Sequence, residues 1–273
     1  MRGSIPFLAV GLALALALLQ AGPSLAASGH DQERPLVAAA SNMRYALAEL
    51  TRQFSQETGI EPRLSFGASG AIAQQILRGA PYELFLAADA AHLAQLRESG
   101  HMTGEGRFYA MGRLVLIARL DSPLWANATD GDALGSLAAA TNEGRIARFA
   151  IANPQTAPYG AAAAEVLRAA GLYERLKGKL VIGETVAQAT HYALAPDVDG
   201  GLVALSLALI PEIAGRSRHI VLPERLHAPL CQPMALLAGA GEGARRFHDW
   251  LQSDTARTVL QRFGYAAADE RCN

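Results

Sequence analysis

The sequence predicts a two-lobed α/β protein, each lobe a mixed, mostly parallel sheet flanked by helices, with a cleft between the lobes. Three observations carry that prediction. Short apolar runs alternate with longer segments of helical period, as βα units require. The series breaks once mid-chain and then resumes. The chain, 273 residues with 51% hydrophobic residues, is long enough for two cores of ordinary size.

The N-terminus reads as a leader. Met1 and Arg2 precede an apolar run from Ile5 to Leu19, and small residues follow, with Ser24 and Ala26 placed for cleavage before Ala27. The run of about 15 residues is short of the roughly 20 that span a bilayer. A signal peptide over 1–26 is therefore expected, leaving an exported, soluble protein of 247 residues.

Leu36–Ala40 predicts a strand, and Ser41–Thr58 an amphipathic helix with Leu47, Leu50 and Phe54 on one face. Arg63–Gly67 and Leu84–Ala88 read as the next strands, followed by helices over Gly70–Arg78 and Ala90–Ser99. Arg113–Ala118 is a strand with no crossover helix close behind it, because Asp121–Asn142 reads as loop-like and weakly helical. The chain is expected to change lobes here. A second series follows: strand Ala147–Ala152, helix Gly160–Ala170, strand Leu180–Gly183, helix Val186–Leu194 and strand Gly201–Ser206. Ile220–Leu222 and a return strand at Met234–Leu237 lead to one last helix, Gly243–Phe263, expected to pack on the first lobe. The expected division is residues 27–109 and 228–273 in lobe 1, and 110–227 in lobe 2, a hinge layout with two crossings.

Composition narrows the partners. The net charge is −1, no basic block stands out, and nucleic acid is a poor candidate. The seven histidines are scattered without ligand spacing, so no site for a free metal cation is expected. No nucleophile elbow, phosphate loop or dinucleotide fingerprint accompanies Glu83 and Asp89, so no catalytic pair is assigned. Cys231 and Cys272 lie near the C-terminus of an exported chain, where a disulfide tying down the tail is expected over free thiols.

Four strand-to-helix junctions are built from small, neutral residues: Ala40-Ser41-Asn42, Gly67-Ala68-Ser69-Gly70, Asn153 to Gly160, and Gly183-Glu184-Thr185-Val186. In open α/β sheets ligands bind at such junctions. A helix N-terminus presents unpaired N–H groups and a partial positive charge, and so holds an anion without lysine or arginine. Each alone has a plainer reading: Ser41 is an equally good helix cap, and Tyr159 could simply pack over a helix start. Four matching junctions, two per lobe, favour an anion. Donors without acceptors suit a fully deprotonated oxyanion. Glu184 is expected to face solvent or its own helix's first turn.

The ordered set Val37-Ala38-Ala39-Ala40-Ser41-Asn42, Ser65 to Gly70, Ile76 to Pro81, Leu84 to Asp89, Asn153-Pro154, Pro158-Tyr159-Gly160, Gly183 to Val186 and Arg262-Phe263-Gly264-Tyr265 resembles the periplasmic molybdate-binding proteins of ABC importers. The resemblance covers the mature chain. It implies a type II periplasmic-binding-protein fold, a molybdate or tungstate ligand held without cofactor or metal ion, no enzymatic activity, a periplasmic monomer, and partners in a membrane permease with its ATPase. By position it implies that Ser41 and Ser69 bind through side chain and N–H, with Asn42 beside them, and that Tyr159 and Val186 supply N–H groups from the second lobe. The departure is Ala204, where familiar members carry a tyrosine whose hydroxyl reaches the anion. Either Asn42 or the Tyr159 hydroxyl substitutes, or affinity and ion preference differ. The rivals are a binder of sulfate, thiosulfate or another oxyanion, and an exported enzyme or sensor domain on the same fold.

Overall fold

The structure, a computed structural model, describes residues 34–129 and 131–272. The expected leader, 1–26, lies outside the described residues, among which no helix is long and apolar enough to cross a membrane.

The first sheet starts as the sequence reads. Strands β1 (Leu36–Ala40), β2 (Arg63–Gly67) and β3 (Leu84–Leu86) alternate with helices α1 (Arg44–Thr58), α2 (Ser69–Leu77) and α3 (Ala91–Glu98), and β1 pairs in parallel with both other strands. Ser41–Met43 forms a 3-10 turn that leads straight into α1. Val37, Ala39, Leu84 and Leu86 belong to the core on one face of the sheet, while Ala38 and Phe85 belong to the core on the other. Burial on both faces is why these strands read as unbroken apolar runs. Strand β4 (Arg107–Met111) completes this lobe's edge before the chain crosses over.

The second lobe runs through β5 (Leu114–Arg119), α4 (Ala133–Asn142), β6 (Phe149–Ala152), α5 (Pro158–Ala169), α6 (Tyr173–Leu176), β7 (Leu180–Gly183), α7 (Val186–Ala193), β8 (Gly201–Ala204), α8 (Leu205–Ala208), α9 (Pro211–Ala214) and β9 (Ser217–Val221). Its strand order is β7-β6-β8-β5-β9, with β6 parallel to both neighbours and β5 antiparallel to both of its own. The chain then returns as β10 (Cys231–Leu236), inserted antiparallel between β3 and β4, and ends in α10 (Glu242–Trp250) and α11 (Asp254–Arg262). Phe247 of α10 packs tilted against Phe54 of α1, ring centroids 4.7 Å apart, which docks the C-terminal helices on the first lobe.

Four expectations need correction. Strand β4 was not foreseen: it is an edge strand whose extended form depends on pairing with β10, a contact 120 residues away in sequence that no local pattern encodes. The stretch expected to be loop-like and only weakly helical contains the regular helix α4, which Asp132 starts by accepting a hydrogen bond from the Gly135 N–H (2.8 Å). The single last helix is two, because the Ser253 hydroxyl accepts from the Ala256 N–H (3.2 Å) and begins a new helix there. Ala110 and Met111 still pair in the first sheet, so the first crossing falls at Gly112, just past the expected boundary at residue 110. There the Gly112 N–H donates to the Leu230 carbonyl (2.9 Å), so the two crossings run side by side. A disulfide joins Cys231, where β10 begins, to Cys272 in the tail.

Candidate functional site

All five residues singled out in the sequence meet at one pocket between the two sheets. Ser41, Asn42, Ser69, Tyr159 and Val186 line it, each at most 4% exposed. The rest of the lining, Ala40, Gly67, Ala68, Ala88, Ala157 and Pro158, carries no hydrogen-bonding side chain. No lining residue is charged. The space open to the centre of a water-sized molecule is about 10 Å³, far below the roughly 300–1,000 Å³ of sites for organic ligands, so the pocket is too small for an organic ligand. A broader groove of about 340 Å³ beneath α11, lined by Tyr109, Arg257 and Tyr265, receives no comparable set of helix starts.

Helix geometry sets what the cavity offers. Ser41 and Ser69 each occupy the first helical position, one residue past the caps Ala40 and Ala68, and Ala157 caps α5; none of the three alanines makes a side-chain cap bond. Ser41 is therefore not the cap it could have been. With alanine at the cap, no cap side chain accepts from the first-turn N–H groups of α2, α5 or the turn into α1, although the Gly70 N–H is taken by the Thr156 carbonyl and the Gly160 N–H by the Ala157 carbonyl. Tyr159 follows Pro158, which has no N–H to offer, and so presents the first N–H of α5. Val186 opens α7, whose cap Thr185 accepts only from Gln188 N–H (3.2 Å), further along the turn. Four helix starts converge on one point.

The two serine hydroxyls are oriented by what they accept. Ser69 Oγ accepts from the Ala88 N–H (3.0 Å), and Ser41 Oγ accepts from the Ala187 N–H of the opposite lobe (3.3 Å). A hydroxyl has one proton, so each remains free to donate it. The lobes also touch through the Gly70 N–H, which donates to the Thr156 carbonyl (2.9 Å). Glu184 is exposed.

The two side chains named as substitutes for a tyrosine at Ala204, Asn42 and Tyr159, both have protein partners in this structure. Ala204 is fully buried at the cap of α8. The Asn42 amide instead donates to Gln232 Oε1 (3.0 Å) and to the Tyr265 hydroxyl (2.8 Å). The Tyr159 hydroxyl accepts from Gln232 Nε2 (3.1 Å) and points at the crossing, where a Cβ on Gly112 would lie 2.1 Å from it. Gln232 thus engages both side chains, while Asn42 Oδ1 is buried without a protein partner. Burial pushes the Tyr159 hydroxyl well above its ordinary range, Tyr265 adds to the shift, and the Gln232 and Asn42 amides offset part of it. Tyr265 and Tyr109 are raised by burial as well, so all three phenols stay neutral beside the site.

Gln232, Tyr265, Tyr109 and Ser206 were missed in the sequence. The available signal was weak: a lone glutamine in Cys231-Gln232-Pro233-Met234 and a lone serine in Leu205-Ser206-Leu207, polar residues inside apolar runs.

The chain is similar in sequence and fold to known solute-binding proteins. Residues 35–266 match the profile of the bacterial extracellular solute-binding proteins. The molybdate-binding protein ModA of Rhodobacter capsulatus is 34% identical over 260 residues, 93% of this chain and 94% of the relative. That of Azotobacter vinelandii is 34% identical over 248 residues, 89% and 94% of the two chains. The solved Azotobacter vinelandii periplasmic molybdate-binding protein superposes with a TM-score of 0.76 at 28% identity, covering 86% of this chain and all of the other.

Proposed function

The chain belongs to the bacterial extracellular solute-binding protein family, and from that premise we propose that it captures molybdate and delivers it to an ABC importer. The observation that carries the reading is the cavity itself: small, uncharged, and furnished with two serine protons and the N–H groups of four helix starts.

Each hydrogen bond to a charged group contributes about 1.5–3 kcal/mol net, and each helix terminus about 0.3–1 kcal/mol more. Several together reach the roughly 8–12 kcal/mol of micromolar to nanomolar binding after ordering costs. A dianion is therefore held without a counter-charge. The absence of any carboxylate in the lining disfavours a protonated oxyanion, whose O–H would find no charged acceptor. Because Ser41 and Ser69 sit on one lobe and Tyr159 and Val186 on the other, the ion stabilises the closed form, and only that differential contact shifts the hinge equilibrium.

The relatives are binding proteins, and no reactive group lines the cleft, which supports a carrier rather than an enzyme. Export through the 1–26 leader, action as a monomer in the periplasm, and docking on a permease driven by an ATPase complete the reading.

Thermal unfolding with molybdate, tungstate, sulfate and phosphate tests it. A ligand at a thousand times its Kd stabilises by about 4 kcal/mol, on the order of 10 °C for a chain of this size. Molybdate is expected to give the largest shift. No shift with any of the four overturns the reading, and a larger shift with sulfate reassigns the ion.

A further inference from the structure

Behind the cavity, at the point where both crossings meet, sits a polar network that the binding chemistry does not itself use. Its centre is Gln232, fully buried on β10 at a register shift between Gln232 and Pro233. Bulges of this kind re-aim a side chain. Here Gln232 is held against both lobes: Oε1 accepts from Asn42 Nδ2 (3.0 Å) and from the Tyr109 hydroxyl (3.2 Å), while Nε2 donates to the Tyr159 hydroxyl (3.1 Å). Asn42 follows Ser41 at the entry to α1, and Tyr159 is the second residue of α5. One side chain thus ties the anion-facing start of a helix in each lobe to the other.

The rest of the network holds the same point. The Asn42 carbonyl receives the Tyr265 hydroxyl from its own lobe (3.0 Å) and the Ser206 hydroxyl from the other (3.1 Å). Gly112 lies directly beneath, and a Cβ there would stand 2.1 Å from the Tyr159 hydroxyl and 2.6 Å from Gln232 Nε2. The bonds therefore sit on the hinge, where relative displacement of the lobes is smallest. A neutral amide suits the place, since it offers an acceptor to Asn42 and a donor to Tyr159 at once.

We propose that Gln232 is a positioning residue for oxyanion capture: through Asn42 and Tyr159 it fixes the spacing between the two lobes' helix starts, so that their N–H groups converge on one ion. The proposal rests on the oxyanion reading of the cleft. It assigns Gln232 no contact with the ion. What it sets is the geometry in which donors on different lobes meet.

The test is a double-mutant cycle in molybdate affinity, measured by titration calorimetry on the exported chain, with thermal unfolding of each protein without ligand. Gln232→Met keeps the volume and removes all three hydrogen bonds; Tyr159→Phe removes one oxygen and keeps the N–H that faces the cavity. Each single variant is expected to weaken binding about three- to tenfold. The double variant is expected to be little worse than the weaker single, because both interrupt the same link. A merely structural role would lower the unfolding temperature with affinity untouched, and unchanged affinity in both variants overturns the proposal. So do strictly additive losses. If Gln232→Met fails to fold, Tyr159→Phe alone decides, with unchanged affinity counting against. A wild-type chain that binds none of molybdate, tungstate, sulfate and phosphate overturns the oxyanion reading itself, an outcome separate from any variant's behaviour.

Discussion

Replacing Ser69 and Ser41 by alanine should have the same effect on affinity and different effects on stability. On the proposed reading each hydroxyl donates its proton to the ion, a bond of about 1.5–3 kcal/mol, so either variant should weaken binding roughly ten- to a hundredfold. Stability separates them. Ser69 Oγ is the acceptor for the N–H of Ala88, which is 1% exposed, and Ser69→Ala leaves that donor buried without a partner. Such a group costs about 1–3 kcal/mol, or about 2–10 °C in Tm for a chain of this length. Ser41 Oγ accepts from Ala187 on the opposite lobe, a partly buried N–H that water reaches once the lobes part. Ser41→Ala should therefore leave the ligand-free Tm within a degree or two of wild type. Calorimetric titration with molybdate and thermal unfolding without it read the two quantities independently. Affinities equal to wild type, or equal Tm losses in both variants, would refute the assignment of these hydroxyls.

Three further outcomes follow from the same structure. Gly70→Ala should weaken binding by tenfold or more with little change in ligand-free Tm, since its Cβ would lie 2.7 Å from His92 Nε2 and 3.0 Å from the Thr156 carbonyl and so hold the lobes apart; full affinity in a titration would contradict this. Burial raises the Tyr109, Tyr159 and Tyr265 hydroxyls in the folded state, so the stability they confer is complete below the unfolded phenol value of about 10 and is lost as pH rises beyond it. Their phenolate absorbance should appear only with alkaline unfolding, and their titration near pH 10 in the folded protein would refute the buried network. Replacing Cys231 and Cys272 by serine opens a loop of 41 residues and should cost about 2–4 kcal/mol, read as a fall in Tm; an unchanged Tm would mean the tail contributes nothing to global stability.

The sequence by itself determined the βα order, most strand positions and the junctions that meet at the pocket. Those features are local: apolar runs of strand length, helical periodicity, and small polar residues where one turns into the other. Ser41, Asn42, Ser69, Tyr159 and Val186 could be marked because each sits at a helix start, and a helix start has the same chemistry wherever the chain carries it. Tertiary structure decided the rest. Whether Ser41 caps its helix or stands one residue inside it depended on where the turn began, and the edge strand β4 depended on β10 arriving from the far end of the chain. The direction of the Asn42 and Tyr159 side chains was beyond any local rule. Gln232, 190 residues from the first and 73 from the second, turns both toward the hinge, because a buried amide must find its partners across the fold rather than along the sequence.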